Sequence, residues 1–356
     1  DAQESRGLGD VYKRQMEKKD LDWGNLGFGY MTIDKRYVSN FKDGAWDNGS
    51  LTEDANIVLN ECAGILQYCQ ECFEGLKAYT TKDGHIVTFR PDLNAQRMMD
   101  TAVRLEMPAF PKERFLDAID QVVKANAAWV PPFGSGATLY LRPYMFASSP
   151  VIGVKPAQEY QFRVFATPVG PYFKGGAKPI TLCVSDFDRA APHGTGNIKA
   201  GLNYAMSLHP LMEAHRNGFD ENLYLDSATR TFVEETGGAN FIFITKDNEF
   251  VTPLSDSILP SITRRSLMYV AEHYLGLKVT QRKVRFDEVA DFAEAGLCGT
   301  AAVISPIGKI VDHGKEILIP SGMEQMGPTT KKLYDTLTGI QMGEIEAPEG
   351  WIRKIL

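Results

Sequence analysis

The chain has no run of about 18 apolar residues, the length a helix needs to cross a bilayer, so nothing in it reads as a membrane span. Nor has it a surplus of basic residues. Its 38 Lys and Arg stand against 45 Asp and Glu, a net charge of -7, whereas a nucleic-acid binder would carry a basic patch. Cysteine is scarce and odd in number: Cys62, Cys69, Cys72, Cys183 and Cys298 describe no disulfide framework, and a reducing cytoplasm is the expected compartment. Cys69 and Cys72 have metal-like spacing, but no second pair or His cluster completes a zinc site, so no metal is expected. A phosphate loop is absent too, because GTGNIKAG at 194–201 is neither GxGxxG nor a glycine loop ending in Lys-Ser or Lys-Thr. There are no internal repeats and no secretory signal, so Asn48-Gly49-Ser50 is expected to be a polar turn. Residues 1–15 carry both charge signs and no apolar stretch; they are expected to be a non-native or disordered leader ahead of Met16. What these absences leave is an enzyme of small metabolites.

What is present is ordinary globular material, 356 residues with 44% hydrophobic and 23% charged content, enough for two compact domains. A small N-terminal domain is expected over 16–169, an interdomain loop over 170–179, where GPYFKGGAKP punctuates the pattern, and a larger domain over 180–356. In the first domain residues 67–80 read as a strand region interrupted by Phe73-Glu74-Gly75, which puts Cys69 and Cys72 on opposite faces. Met98, Ala102 and Leu105 mark one helix, and Leu116, Ile119, Val123 and Ala127 another. Residues 137–146 read as a strand on which Tyr140 and Arg142, two apart, share a face. In the second domain a helix is expected from about Asn203, with Leu202, Ala205, Leu208 and Met212 as its apolar side. A short helix is expected over 286–294, and the class is α/β or α+β.

The chain is organised around residues 194–204, GTGNIKAGLNY, with Lys199 at the centre. Glycines on both sides hold it in tight backbone, and a confined amine can be made to attack a carbonyl. Five other features fit an aromatic, phosphorylated partner beside it. Glu235 stands before Gly237 and Gly238, where a carboxylate could keep a pyridine nitrogen protonated. Ser261-Ile262-Thr263 opens a helix whose free amides could bind a phosphate. Arg90 could add fixed charge there, and Cys298-Gly299-Thr300-Ala301 offers a hydroxyl and backbone donors. Tyr204 could hydrogen-bond a ring oxygen. Taken singly, each has a plain structural reading as a surface lysine, a solvated acid, an ion-pair partner or a helix cap.

Together with CFEGLKAY at 72–79, FRPDLNAQRM at 89–98, LYLRP at 139–143, EETGGAN at 234–240, LPSITR at 259–264 and CGTAA at 298–302, they give a chain that resembles the branched-chain amino acid aminotransferases, of the fold-type IV pyridoxal-phosphate enzymes. The resemblance runs from about Leu26 to Ile345 and implies a two-domain fold and pyridoxal 5'-phosphate as cofactor. It implies that Lys199 is the Schiff-base lysine and proton carrier, with Glu235 on the pyridine nitrogen, Tyr204 by the ring oxygen, and Arg90, Ile262, Thr263 and Thr300 at the phosphate. The substrate carboxylate would meet the Thr300-Ala301 turn and Tyr68. Phe28, Tyr68, Phe73, Tyr140 and Tyr172 would wall the side-chain pocket, and Arg142 would receive the distal carboxylate of glutamate. Aromatic walls suit an isobutyl group, while phenols and a guanidinium keep that carboxylate from being buried unpaired. Small-molecule substrates and a homodimer are further implications. A D-amino acid aminotransferase, an aminodeoxychorismate lyase and a non-catalytic binding protein are the alternatives. Some animal relatives carry Cys-x-x-Cys after the carboxylate turn, but this chain has Ala302 and Ser305, so no thiol switch is implied.

Overall fold

A computed structural model describes residues 17–171 and 177–356; the expected leader, Met16 and Tyr172 lie outside them. The chain folds as two compact units, one ending at Tyr172 and taken up again at Ile340–Leu356, the other Phe173–Gly339. The return at Ile340 differs from a single boundary at 170–179. Its cause is pairing: the strand Ile352–Lys354 lies antiparallel to Ile86–Phe89, and Phe89 and Trp351 meet edge to face at 5.5 Å.

The first unit is built on an antiparallel sheet in the order Ile352–Lys354, Ile86–Phe89, Leu76–Thr80, Thr138–Ala147, Tyr160–Val169, Arg36–Lys42, Ala45–Trp46, with Ser50–Thr52 and Glu71–Phe73 paired at its sides. Alternation sorts the two faces. Leu139, Leu141 and Met145 on one long strand and Phe162, Val164 and Ala166 on the next are buried in a core with Met98, Ala102, Leu116, Ile119 and Val123, from the helices Pro91–Arg104 and Lys112–Ala125. Tyr140, Arg142 and Tyr144 are thereby left on the opposite face. The strand region expected over 67–80 breaks between Glu71–Phe73 and Leu76–Thr80, as its Phe73-Glu74-Gly75 interruption predicts, but it starts later than expected. Gly64–Tyr68 is a short helix that ends at Cys69 in the left-handed conformation, φ 51°, so Cys69 is not on a strand facing away from Cys72.

The second unit has a mixed sheet in the order Glu221–Leu223, Ile180–Val184, Val303–Asp312, Glu294–Gly299, Asn240–Ile244, Phe250–Pro253, Val279–Arg282, with Lys315–Leu318 beside Val303–Asp312. Ile180–Val184 runs parallel to both neighbours. Leu182, Leu223, Phe241, Phe243, Leu297 and Ile307 fill its core. Helices and mixed sheet make the class α+β. Residues 286–294 are not one helix: a 3-10 turn covers Phe286–Asp291, and Glu294 opens a strand.

The helix after Lys199, Gly201–Arg216, is turned the opposite way from its apolar pattern. Asn203, Ser207, Pro210 and Ala214 are buried, while Met206, Leu208 and Met212 are exposed and Ala205 with them. Its inner face is committed to polar work. Asn203 Nδ2 donates to the Thr195 and Ile198 carbonyls at 2.7 and 3.0 Å, and Thr195 Oγ1 donates to Asn203 Oδ1 at 2.8 Å. Pairing the orphan carbonyls of the loop outweighs burying three apolar side chains on this face.

Candidate active site

Two sets of side chains matter, one in each unit. In the second unit Lys199 sits half-buried just ahead of Gly201–Arg216. Its Nζ donates to the Tyr204 hydroxyl at 2.9 Å. Asn203, on the same helix, ties down the loop that precedes the lysine, so the amine is held from both sides.

Glu235 is 2% exposed. Its Oε1 accepts from Arg189 Nη1 and from the Leu259 amide, each at 2.8 Å, and its Oε2 accepts from Asn240 Nδ2 at 2.6 Å. Burial pushes its carboxyl up to about 7, against the pull of Arg189, the Leu259 amide and Arg264, with Glu234 adding to the rise. Asn240 pairs with Cys298 across two strands, which brings EETGGAN beside CGTAA. Cys298 itself is buried and its thiol is pushed up to about 12 by desolvation, so it stays neutral. Thr300 and Ala301 form the turn between Glu294–Gly299 and Val303–Asp312. That turn ends at Val303 with φ 63°, a left-handed conformation rare for a β-branched residue.

Ile262 and Thr263 begin the helix Ile262–His273, where the Ser261 side chain accepts from the Arg264 amide. The cap takes that one amide, and the first turn has no carbonyl for those of Ile262 and Thr263. A half-buried amine beside a phenol, a fixed buried acid and an open helix N-terminus form a donor and acceptor set that suits a phosphorylated pyridine aldehyde. Among the described residues no group of three or more His, Cys, Asp or Glu could hold a metal ion.

In the first unit the structure gathers Phe28, Phe73, Tyr140 and Arg142. Phe28 meets Tyr140 edge to face at 5.3 Å, and the Arg142 guanidinium lies 4.8 Å from the Phe73 ring and 5.4 Å from that of Tyr140. Arg142 Nη2 donates to the Tyr140 hydroxyl at 3.1 Å. Its Nε is buried with no hydrogen-bond partner. Gly75 makes room for this arrangement, because a Cβ there would lie 2.1 Å from the Tyr140 hydroxyl. Tyr68 is engaged elsewhere, donating its hydroxyl to the Ile152 carbonyl. Arg90 has φ 48° at the start of Pro91–Arg104 and lies 4.3 Å from the Trp351 ring.

The amino-transferase class IV family model matches residues 71–310. A branched-chain-amino-acid aminotransferase of Haemophilus influenzae is 53% identical over 342 residues, covering 95% of this chain and 99% of the relative. The chain belongs to the class IV aminotransferases, among the branched-chain-amino-acid aminotransferases. The Escherichia coli branched-chain amino acid aminotransferase structure matches with a TM-score of 0.75 at 26% identity, over 90% of this chain and 99% of that one. A Thermobaculum terrenum branched-chain aminotransferase in its PLP-form shares the fold, with a TM-score of 0.75 at 24% identity over 91% of this chain and 100% of that one.

Within this aminotransferase three residues that hold Lys199 and Glu235 in place carry little or no signal in the sequence. Asn240 closes the EETGGAN segment and could have been singled out as its last polar residue. Asn203 lies in the lysine segment but reads as a helix start. Arg189 carries no local signal at all, since only the folded chain brings it to Glu235.

Proposed function

We propose that this aminotransferase moves the amino group of leucine, isoleucine or valine to 2-oxoglutarate, giving the 2-oxo acid and glutamate, with pyridoxal 5'-phosphate attached at Lys199. The observation that carries the reaction is the end-to-end likeness, at 53% identity, to a branched-chain-amino-acid aminotransferase. Bound there, the cofactor would supply an electron-withdrawing ring and a carbon that carries the amino group between the two half-reactions.

Lys199 Nζ takes the α-proton from the amino acid and later returns it, and Tyr204 sets the position of that nitrogen through the 2.9 Å hydrogen bond. The Glu235 carboxylate would accept from the ring nitrogen of the bound cofactor and hold the proton there. Ile262 and Thr263 offer amides to the phosphate, joined in this reading by Arg90 and Thr300, and the Thr300-Ala301 turn receives the substrate carboxylate, with Tyr68 joining it only by giving up its bond to the Ile152 carbonyl. The left-handed Val303 that ends this turn supports a functional role for it.

Phe28, Phe73 and Tyr140 wall the side-chain pocket, a role that Tyr172 shares in this reading. Arg142 takes the distal carboxylate of glutamate. Its unpartnered Nε supports that assignment, because a buried donor left unmet costs about 1–3 kcal/mol that a carboxylate would recover. A homodimer is part of the proposal, supported by the exposed Met206, Leu208 and Met212. The cytoplasm is the proposed compartment, supported by five unpaired cysteines, and among the described residues no helix is long and apolar enough to cross a membrane.

Leucine, isoleucine and valine with 2-oxoglutarate, against D-alanine and aminodeoxychorismate, test the substrate. Turnover of the first three alone is expected. Lys199→Ala should lose both the absorbance of lysine-bound cofactor and transamination; full activity in that variant would falsify the lysine's assignment.

A further inference from the structure

Arg189 takes no part in the roles above, yet it is the cation against which the buried acid is held. Its side chain and that of Glu235 are each 3% exposed, with Arg189 Nη1 2.8 Å from Glu235 Oε1. The same nitrogen donates to the carbonyl of Gly196, in the loop before Lys199, at 3.2 Å, and to that of Ser257, ahead of Ile262–His273, at 3.0 Å. Gly196 leaves no space for a side chain, since a Cβ there would lie 2.0 Å from the Ser257 carbonyl oxygen. Arg189 thus stands where three segments converge, those that carry Lys199, Glu235 and the open helix N-terminus.

We propose that Arg189 is a positioning residue that keeps Glu235 ionised and fixed, and so decides whether the ring nitrogen of the bound cofactor stays protonated. The inference rests on the cofactor reading above. A carboxyl group that keeps its own proton donates it in a hydrogen bond to an unprotonated ring nitrogen and leaves the ring neutral. A carboxylate accepts, and holds the proton on the nitrogen. The charged and titratable groups facing Glu235 are Arg189 and Arg264, which favour the carboxylate, Glu234, which opposes it, and the Cys298 thiol, which is neutral. Burial pushes Glu235 up to about 7, and Arg189 is the largest influence pulling it back. Without that guanidinium the desolvated acid would hold its proton at neutral pH.

The test uses the full-length, cofactor-free protein with 13C-labelled glutamate carboxyls, the Glu235 signal being assigned by its loss in Glu235→Gln. In the wild type the signal should titrate near neutral pH. In Arg189→Gln the midpoint should rise by more than about one pH unit, and in Arg189→Lys, which keeps the charge, it should move by less than half as much. With cofactor bound, the activity lost in Arg189→Gln should recover as pH rises, because base ionises Glu235 without help. An unmoved midpoint in a folded Arg189→Gln protein overturns the proposal. Should that variant not fold, the wild type decides alone: a carboxyl still protonated at about pH 9 overturns it, and one ionised there supports it. Failure of the function itself looks different, since a wild type that neither binds pyridoxal phosphate nor transaminates would refute the cofactor reading wherever the Glu235 midpoint lies.

Discussion

Each unit buries an arginine against a glutamate, and the two pairs are built differently. In the first, Arg97 forks onto Glu74, Nε to Oε1 at 2.7 Å and Nη2 to Oε2 at 2.8 Å, and Asn94 Nδ2 adds a bond to Oε2 at 2.8 Å. In the second, Arg189 meets Glu235 through one nitrogen that two carbonyls also share, and its Nε is buried without a partner. The fork closes on itself and staples the segment after Glu71–Phe73 to the helix Pro91–Arg104. The shared contact leaves the acid desolvated and poised near neutrality. Burial alone therefore does not mark a site; what separates a staple from a tuned acid is how completely the cation is used up on it.

The comparison breaks most directly at the staple. Arg97→Met strands a fully buried carboxylate and should lower stability by about 3–5 kcal/mol in denaturant unfolding, while the Glu235 titration stays where it was. Next in size is Glu235→Gln, which removes the charge proposed for the ring nitrogen. Transamination should fall by on the order of a hundredfold or more, with the fold retained by circular dichroism. An equal loss of stability in both variants would mean that the two pairs do the same job.

A pH series sharpens the contrast further. The folded Glu235 carboxyl is raised from 4.5 to about 7, so the folded state binds a proton that the unfolded chain has already released. The stabilisation from this group is complete below the unfolded value and fades as pH climbs from about 4.5 through 7. Relative to Glu235→Gln, the wild type should lose on the order of 1–3 kcal/mol over that window. Unfolding free energies at several pH values for both proteins check the sign.

The smallest expected effect concerns a third guanidinium. Arg142→Gln should raise KM for 2-oxoglutarate by roughly tenfold to a hundredfold and disturb the leucine half-reaction less. Equal damage to both substrates would make Arg142 a packing residue instead.

Local spacing made some of this legible. Lys199 and Tyr204 are five apart across a helix start, and Tyr140 and Arg142 are two apart on a strand, so short-range geometry nearly dictates that each pair meets. The core helices of the first unit followed their apolar period for the same reason. Where the period misled, polar groups had a prior claim. Gly201–Arg216 turns Asn203 inward because the loop before Lys199 has carbonyls to pair, Ser207 four residues on goes in with it, and Met206, Leu208 and Met212 face out. Tyr68 ends a helix because left-handed Cys69 stops it, a backbone choice that aromatic content does not announce.

From its residues alone this protein determined its family, the meeting of Lys199 with Tyr204 and that of Tyr140 with Arg142, since these depend on residue identity and on neighbours a turn or a strand pair away. Only the tertiary structure decided which charges answer one another. Arg189 with Glu235 and Arg97 with Glu74 are joined across loops whose closure no periodicity encodes, and the environment that lifts one carboxyl toward neutrality exists only once water has been excluded around it.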